Sequence, residues 1–167
     1  MHAVSNAINA RGWLGLAGWL AITAAAAVSG ALASADAKDF YASLALPAWA
    51  PPAWLFGPAW TLLYALMAIA AWLVWRDHGL HGARVALSLY VLQLVVNAAW
   101  TWLFFVHRSG ALAFADIVAL WVLVAMTLAS FSRLNRGAAA LLLPYLAWIT
   151  YAAALSYAAW TLNPSVL

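Results

Sequence analysis

Charged and turn-forming residues interrupt this chain at only a few points, and five long apolar stretches run between them. They cover about residues 13 to 35, 52 to 75, 83 to 106, 111 to 132 and 138 to 162. The breaks are Asp36 after the first, RDHG after the second, HRSG after the third and RLNRG after the fourth. A helix that crosses a bilayer needs roughly 20 apolar residues, and each stretch is long enough. The pattern predicts an all-α integral membrane protein: one domain over residues 1–167, built as a bundle of five transmembrane helices. The last three connections are short, which favours antiparallel neighbours, whereas the loop at about residues 36 to 51 is long. No internal repeat is visible, so an inverted-repeat transporter finds little support.

Composition sharpens this picture. The 167 residues are 69% hydrophobic and 7% charged, with a mean hydropathy of +0.95, whereas soluble domains carry roughly 25% charged residues. The absence of cysteine excludes disulfides, thiolate-ligated haem and a cysteine nucleophile. A net charge of +3 without any Lys/Arg-rich run speaks for orientation in a membrane, not for nucleic-acid binding. Arg11, Arg76, Arg84, Arg133 and Arg136 flank the spans on one side, Lys38 and Arg108 on the other. By the positive-inside rule the N-terminus lies in the cytoplasm, and the long loop then lies outside. The alanine-rich composition has a bacterial character, so the bacterial inner membrane is the expected location, with the outer membrane as the alternative. Arg11, an apolar run and ALASADA also resemble a cleavable signal peptide. The run exceeds the roughly 7–15 residues of a signal h-region, so a retained span is the expectation.

Polar groups inside the spans are costly in lipid and face the bundle or a cavity. Gln93 and Asn97 stand four apart in the third span, and Tyr90 and Trp100 extend the same face. This Tyr–Gln–Asn–Trp stripe suits a flat ligand with polar edges, but Asn and Gln also join membrane helices to one another. Asp116 is the one acid well inside a span; it is either a structural hydrogen-bond partner or a ligand or proton group. Trp60, Tyr64, Met67 and Ala71 share a face of the second helix, and Trp148, Ala152, Leu155 and Ala159 a face of the fifth. Trp13, Trp49, Trp54, Trp75, Trp102 and Trp160 fit an interfacial belt, whereas Trp60, Trp100, Trp121 and Trp148 are deep enough to line the interior. The four histidines all lie in a terminus or a loop; His78 and His81 supply only two ligands, so no metal site is expected. No Ser/His/Asp set is suggested either.

Between the first two spans, LPAWAPPAWLFGPAW holds three tryptophans and four prolines in residues 46 to 60. Proline suits the first turn of a helix, so Pro51 and Pro52 are expected to start the second helix. Pro58, a turn and a half later, is expected to kink or loosen it. Pro47 holds the incoming chain extended. The loop reads as a stiff aromatic lid over a pocket, with Trp60 beneath it.

Four segments carry a resemblance: FYASLALPAWAPPAWLFGPAWTLLYALMAIAAWLVW, LYVLQLVVNAAWTWLFF, ALAFADIVALW and LLLPYLAWITYAAALSYAAW. In order and spacing they resemble the TspO/MBR family (tryptophan-rich sensory protein / translocator protein, peripheral benzodiazepine receptor), over about residues 29 to 163. The resemblance implies a five-helix bundle, a homodimer in bacteria, and a pocket for tetrapyrroles such as protoporphyrin IX and for isoquinoline carboxamides, with no obligatory cofactor. Carried over, the family's pocket residues are Trp60, Asn97, Trp148, Ala152 and Leu155. Phe56, Gly57 and Ala59 match further second-helix positions, Asp116 the fourth-helix acid, and Phe40 and Tyr41 the aromatic pair of the lid loop, whose first member is more commonly Trp. With Tyr64, Gln93 and Trp100 from the helical faces, these residues, Phe40 excepted, form the candidate ligand site. The same resemblance raises a light-dependent conversion of protoporphyrin, with Trp60 and Trp148 as the candidate catalytic pair. Leu155 and Tyr157 begin the family's weak sterol motif, but Thr161 stands where a basic residue is required, so sterol binding by that motif is not expected. A porphyrin-binding protein leads the functional readings. A light-dependent enzyme, a transporter and a purely structural subunit are its rivals.

Overall fold

The computed structural model describes the backbone of residues 2–167 and the side chains from residue 12 onward; the Arg11 side chain in the charge reading lies outside the described residues. Six α-helices follow in order: α1 (His2–Ala33), α2 (Ala37–Ser43), α3 (Phe56–Gly82), α4 (Arg84–Thr101), α5 (Gly110–Leu134) and α6 (Arg136–Leu162). A 3-10 turn (Ala53–Leu55) precedes α3, and a π-helical turn (Trp102–Val106) ends α4. Among the described residues, five helical segments are long and apolar enough to span a membrane, the first being Gly12–Ala33. Helices meet the demand that every backbone polar group in lipid be hydrogen-bonded within its own segment. Only 22% to 33% of each span is fully buried inside the chain, and lipid completes the apolar environment around the exposed faces. The chain is a multi-pass membrane protein.

Helix α5 packs chiefly on α6 and α4, while α1 lies against α3 and α4, and α3 against α6. Small residues permit close approach of membrane helices, and Ala68, Ala70 and Ala71 of α3 are fully buried. Tyr90, Phe131, Leu142 and Tyr145 fill the space between helices. At the start of α5, a side chain on Gly110 would collide with the inner atoms of Trp160 on α6. Only glycine lets these helices cross there.

The second span, Ala53–Gly82, starts within a residue of its expected bound; Pro52 is extended (φ −64°, ψ 144°) and caps the 3-10 turn that leads into α3. Two expectations need correction. Pro58 does not kink α3. It is the third residue of that helix, where the backbone N–H has no intrahelical acceptor to lose. The span also continues beyond RDHG to Gly82, interrupted at Gly79, whose φ of 67° is open to glycine at little cost. The long loop carries a helix of its own, α2, which buries Phe40 against Phe104 and Phe105.

Candidate functional site

The sequence places an amide, a thioether and phenols at positions that meet in the middle of the bundle. Tyr64 Oη on α3 donates to Asn97 Oδ1 on α4 (2.7 Å), and Asn97 Nδ2 donates to Tyr145 Oη on α6 (3.1 Å). Tyr145 in turn donates to Gln93 Oε1 (3.0 Å), whose Nε2 reaches Met67 Sδ at 4.0 Å. Gln93 and Tyr145 are fully buried and Asn97 nearly so. One amide therefore ties three helices together through phenols.

Beside this network lies a small cavity lined by Trp60, Asn97, Trp100, Ile117, Leu120, Ile149 and Ala152. Its volume is about 20 Å³, room for a single water. Trp60 stacks on Tyr64 with ring centroids 5.2 Å apart, and its edge meets Tyr145 at 6.2 Å and Trp148 at 6.4 Å. From there an aromatic ladder climbs to the lid. Trp148 meets Phe56 at 6.0 Å, and Phe56 meets Tyr41 at 5.4 Å. A second branch runs from Trp148 to Tyr151 at 6.1 Å and on to Trp49 at 5.6 Å.

The lid is pinned at several points. Tyr41 Oη donates to Pro51 O (3.0 Å), and Tyr151 Oη to Trp49 O (2.9 Å). Burial, with Tyr151 nearby, raises the Tyr41 phenol above its ordinary range, so it keeps the proton it donates. Asn163, just past α6, holds the loop from the other side: its Oδ1 accepts from Ala45 N (2.8 Å), and its Nδ2 donates to Ala45 O (2.9 Å) and Ala159 O (2.7 Å).

Of the residues singled out from sequence, Trp60, Asn97, Trp100 and Ala152 line the cavity, while Tyr64 and Gln93 belong to the network behind it. Trp148, Phe56 and Tyr41 form the ladder. Leu155 is buried on α6 without reaching the cavity lining, and Ala59 is half-buried. Gly57 is exposed, and a side chain there would meet no neighbouring helix or loop, so the structure does not bring it to the site. Tyr90 leaves the stripe to pair with Thr23 of α1 (2.6 Å). Trp121, placed among the interior tryptophans, is 40% exposed on the outer surface, where its Nε1 donates to Thr150. Asp116 is half-buried, and its Oδ2 is enclosed without a hydrogen-bond partner.

Trp100 Nε1 and Ser156 Oγ are likewise buried without partners. Helices α5 and α6 run antiparallel, and Phe114 meets Tyr157 while Trp121 bonds Thr150. That register sets Asp116 level with Leu155, one residue before Ser156. Of the three unpartnered atoms, Trp100 Nε1 belongs to a residue that lines the cavity, Asp116 directly precedes the lining residue Ile117, and Ser156 lies one turn beyond the lining residue Ala152. Tyr145, Ser156 and Asn163 were not singled out from sequence. The first two were within reach, since Tyr145, Trp148, Ala152 and Ser156 recur at helical spacing.

The chain is similar to known proteins over most of its length. Residues 18–161 match the model of the TspO/MBR family. The chain is 41% identical to the tryptophan-rich sensory protein of Cereibacter sphaeroides over 135 residues, 81% of this chain and 82% of that one. It is 36% identical to the tryptophan-rich protein TspO of Chlorobaculum tepidum over 129 residues, 75% of this chain and 80% of the relative. The translocator protein of Ovis aries is 40% identical over 126 residues, covering 74% and 75% respectively.

Proposed function

The chain belongs to the TspO/MBR family, and from that premise and its interior we propose that it binds tetrapyrroles of the protoporphyrin IX kind, as a sensor, buffer or translocator. The aromatic ladder from Tyr41 and Trp49 through Trp148 to Trp60 is the observation that carries this reading. Aromatic faces stack on a flat macrocycle, each pair contributing about 0.5–1.5 kcal/mol beyond burial. Asn97, with the unpartnered Trp100 Nε1, Asp116 Oδ2 and Ser156 Oγ, offers hydrogen bonds to its polar atoms. Sites for ligands of this size run to roughly 300–1,000 Å³, so the ligand enters only as the lid lifts and the Trp60 and Trp100 rings swing aside. No observation favours the light-dependent chemistry raised for Trp60 and Trp148.

Protoporphyrin IX titrated into the purified protein, read by tryptophan quenching, tests this. Trp60→Leu and Trp148→Leu are each expected to weaken binding about tenfold. Trp13→Phe, altering an outward-facing ring that is 69% exposed, leaves it unchanged. Equal, unsaturable quenching in all variants overturns the proposal.

We further propose that the end carrying Arg76, Arg84, Arg133 and Arg136 faces the cytoplasm of a bacterial inner membrane. Single cysteines can be placed at His81 and Ser43 in this cysteine-free chain. A membrane-impermeant thiol reagent added to intact cells is expected to label position 43 and spare position 81; the reverse pattern inverts the orientation.

A further inference from the structure

At the end of the bundle opposite the lid, a groove of about 300 Å³ opens between the start of α4 and the end of α5. His81, Arg84 and Val85 line one side, Ser130, Arg133 and Leu134 the other. Its charge is uncompensated. The chain has four acids. Asp36 and Asp39 sit at the lid end, beside and within α2, and Asp116 is inside the bundle. Asp77 is taken by Arg76 (3.0 Å) and by Asn135 Nδ2 (2.7 Å). Arg84 and Arg133 therefore have no acidic partner among the described residues, and both are exposed at the groove.

The start of α4 adds donors to this groove. Its N-cap is Ala83, which has no side chain able to accept from the first-turn N–H groups. Those N–H groups can donate to an anion, whereas the α4 dipole is offset by the carbonyl end of α5 at the same groove, so Arg84 and Arg133 supply its net positive charge. Guanidinium forks match phosphate oxygens in pairs.

We propose that this groove holds the phosphodiester headgroup of an anionic phospholipid. Its depth and flanks identify a lipid as the source of the phosphate. Arg84 opens one membrane span and Arg133 stands one residue from the end of another, so the cations sit where headgroups lie. Toward the membrane interior, exposed Val85 and Leu92 continue along α4, and exposed Met126 and Val122 along α5. These two apolar rows flank the α4–α5 seam and offer the acyl chains a surface that a free phosphate has no use for. The site is separate from the porphyrin cavity and independent of the reading given to it.

Native mass spectrometry of the full chain in detergent, with phosphatidylglycerol, phosphatidylcholine and inorganic phosphate as probes, tests the proposal. Wild type is expected to keep phosphatidylglycerol on the order of tenfold more tightly than phosphatidylcholine. The Arg84→Gln/Arg133→Gln double variant loses that preference, whereas Arg136→Gln, at the same end but outside the groove, retains it. Both arginines are exposed, so the double variant removes no packing. Equal binding of the two lipids by wild type overturns the proposal. An equal loss in Arg136→Gln, which would mean diffuse charge, does so too. Displacement of phosphatidylglycerol by millimolar phosphate would assign the groove to a free anion and overturn the lipid.

Discussion

Replacing Asn97 by leucine is expected to lower the stability of the bundle by about 1–3 kcal/mol, well beyond what the loss of one interhelical hydrogen bond usually costs. Such bonds in membrane proteins average about 0.6 kcal/mol and reach about 1.7. Asn97 makes two, to α3 through Tyr64 and to α6 through Tyr145. Leucine has nearly the same bulk, so packing changes little. What changes is that the Tyr64 hydroxyl loses its acceptor in a site with little water, and an unsatisfied buried group costs more than the net worth of its bond. Tyr145 fares better, because Gln93 still accepts its proton. The double variant Asn97→Leu/Tyr64→Phe should therefore be no less stable than Asn97→Leu alone, a non-additivity that marks a shared contact. Thermal unfolding in detergent followed by circular dichroism measures both. An Asn97→Leu variant within 0.5 kcal/mol of wild type would show that the network contributes orientation and not stability. The same substitution removes a polar group from the cavity wall, so porphyrin affinity falls with it if Asn97 meets the ligand.

Much of this arrangement was legible in the chain, because the forces that set it act at short range. Hydrophobic length and flanking charge located the spans; the third differs from its helix by a single residue at its start. Helical spacing put Gln93 and Asn97 on one face, and the burial of both follows from it. For Trp121 that rule is ambiguous: it stands four residues past Ile117 yet 100° beyond Leu120, at the margin of the face that Ile117, Leu120 and Val124 bury. Depth along the span misled there. Pro58 was misplaced because its effect depends on where the helix starts, and the 3-10 turn shifted that start to Phe56. Helix α2 escaped because AKDFYAS is too short to hold a helix alone; its order comes from burying Phe40 on residues far along the chain. Asn163 escaped for the same reason. Its partner Ala45 lies 118 positions away, and nothing local marks an asparagine in a polar tail as a clamp.

That clamp sets the second large expectation. Asn163→Ala removes both hydrogen bonds to Ala45 and leaves the Ala45 amide and carbonyl without a protein partner. At about 1 kcal/mol per bond, the opening equilibrium of the loop shifts by about 2 kcal/mol, or roughly thirtyfold. Hydrogen exchange over residues 40 to 50 should accelerate by that order, while the interior of α3 keeps its protection. Tyr151→Phe, which cuts one exposed bond to Trp49, should do much less, and equal acceleration in the two variants would place the hinge elsewhere. Porphyrin kinetics then distinguish two roles for the lid. The cavity beneath it has room for one water, so a macrocycle arrives only after a displacement. If the lid is solely a gate, Asn163→Ala speeds association and dissociation together and leaves Kd where it was, because bound and free protein open at the same cost. If the lid also forms a wall of the site, through Tyr41 and Trp49 at the head of the aromatic ladder, dissociation speeds more than association and Kd rises. Unchanged rates beside accelerated exchange would mean that the ligand enters between helices from the membrane, and that the lid closes an end of the bundle the ligand never uses.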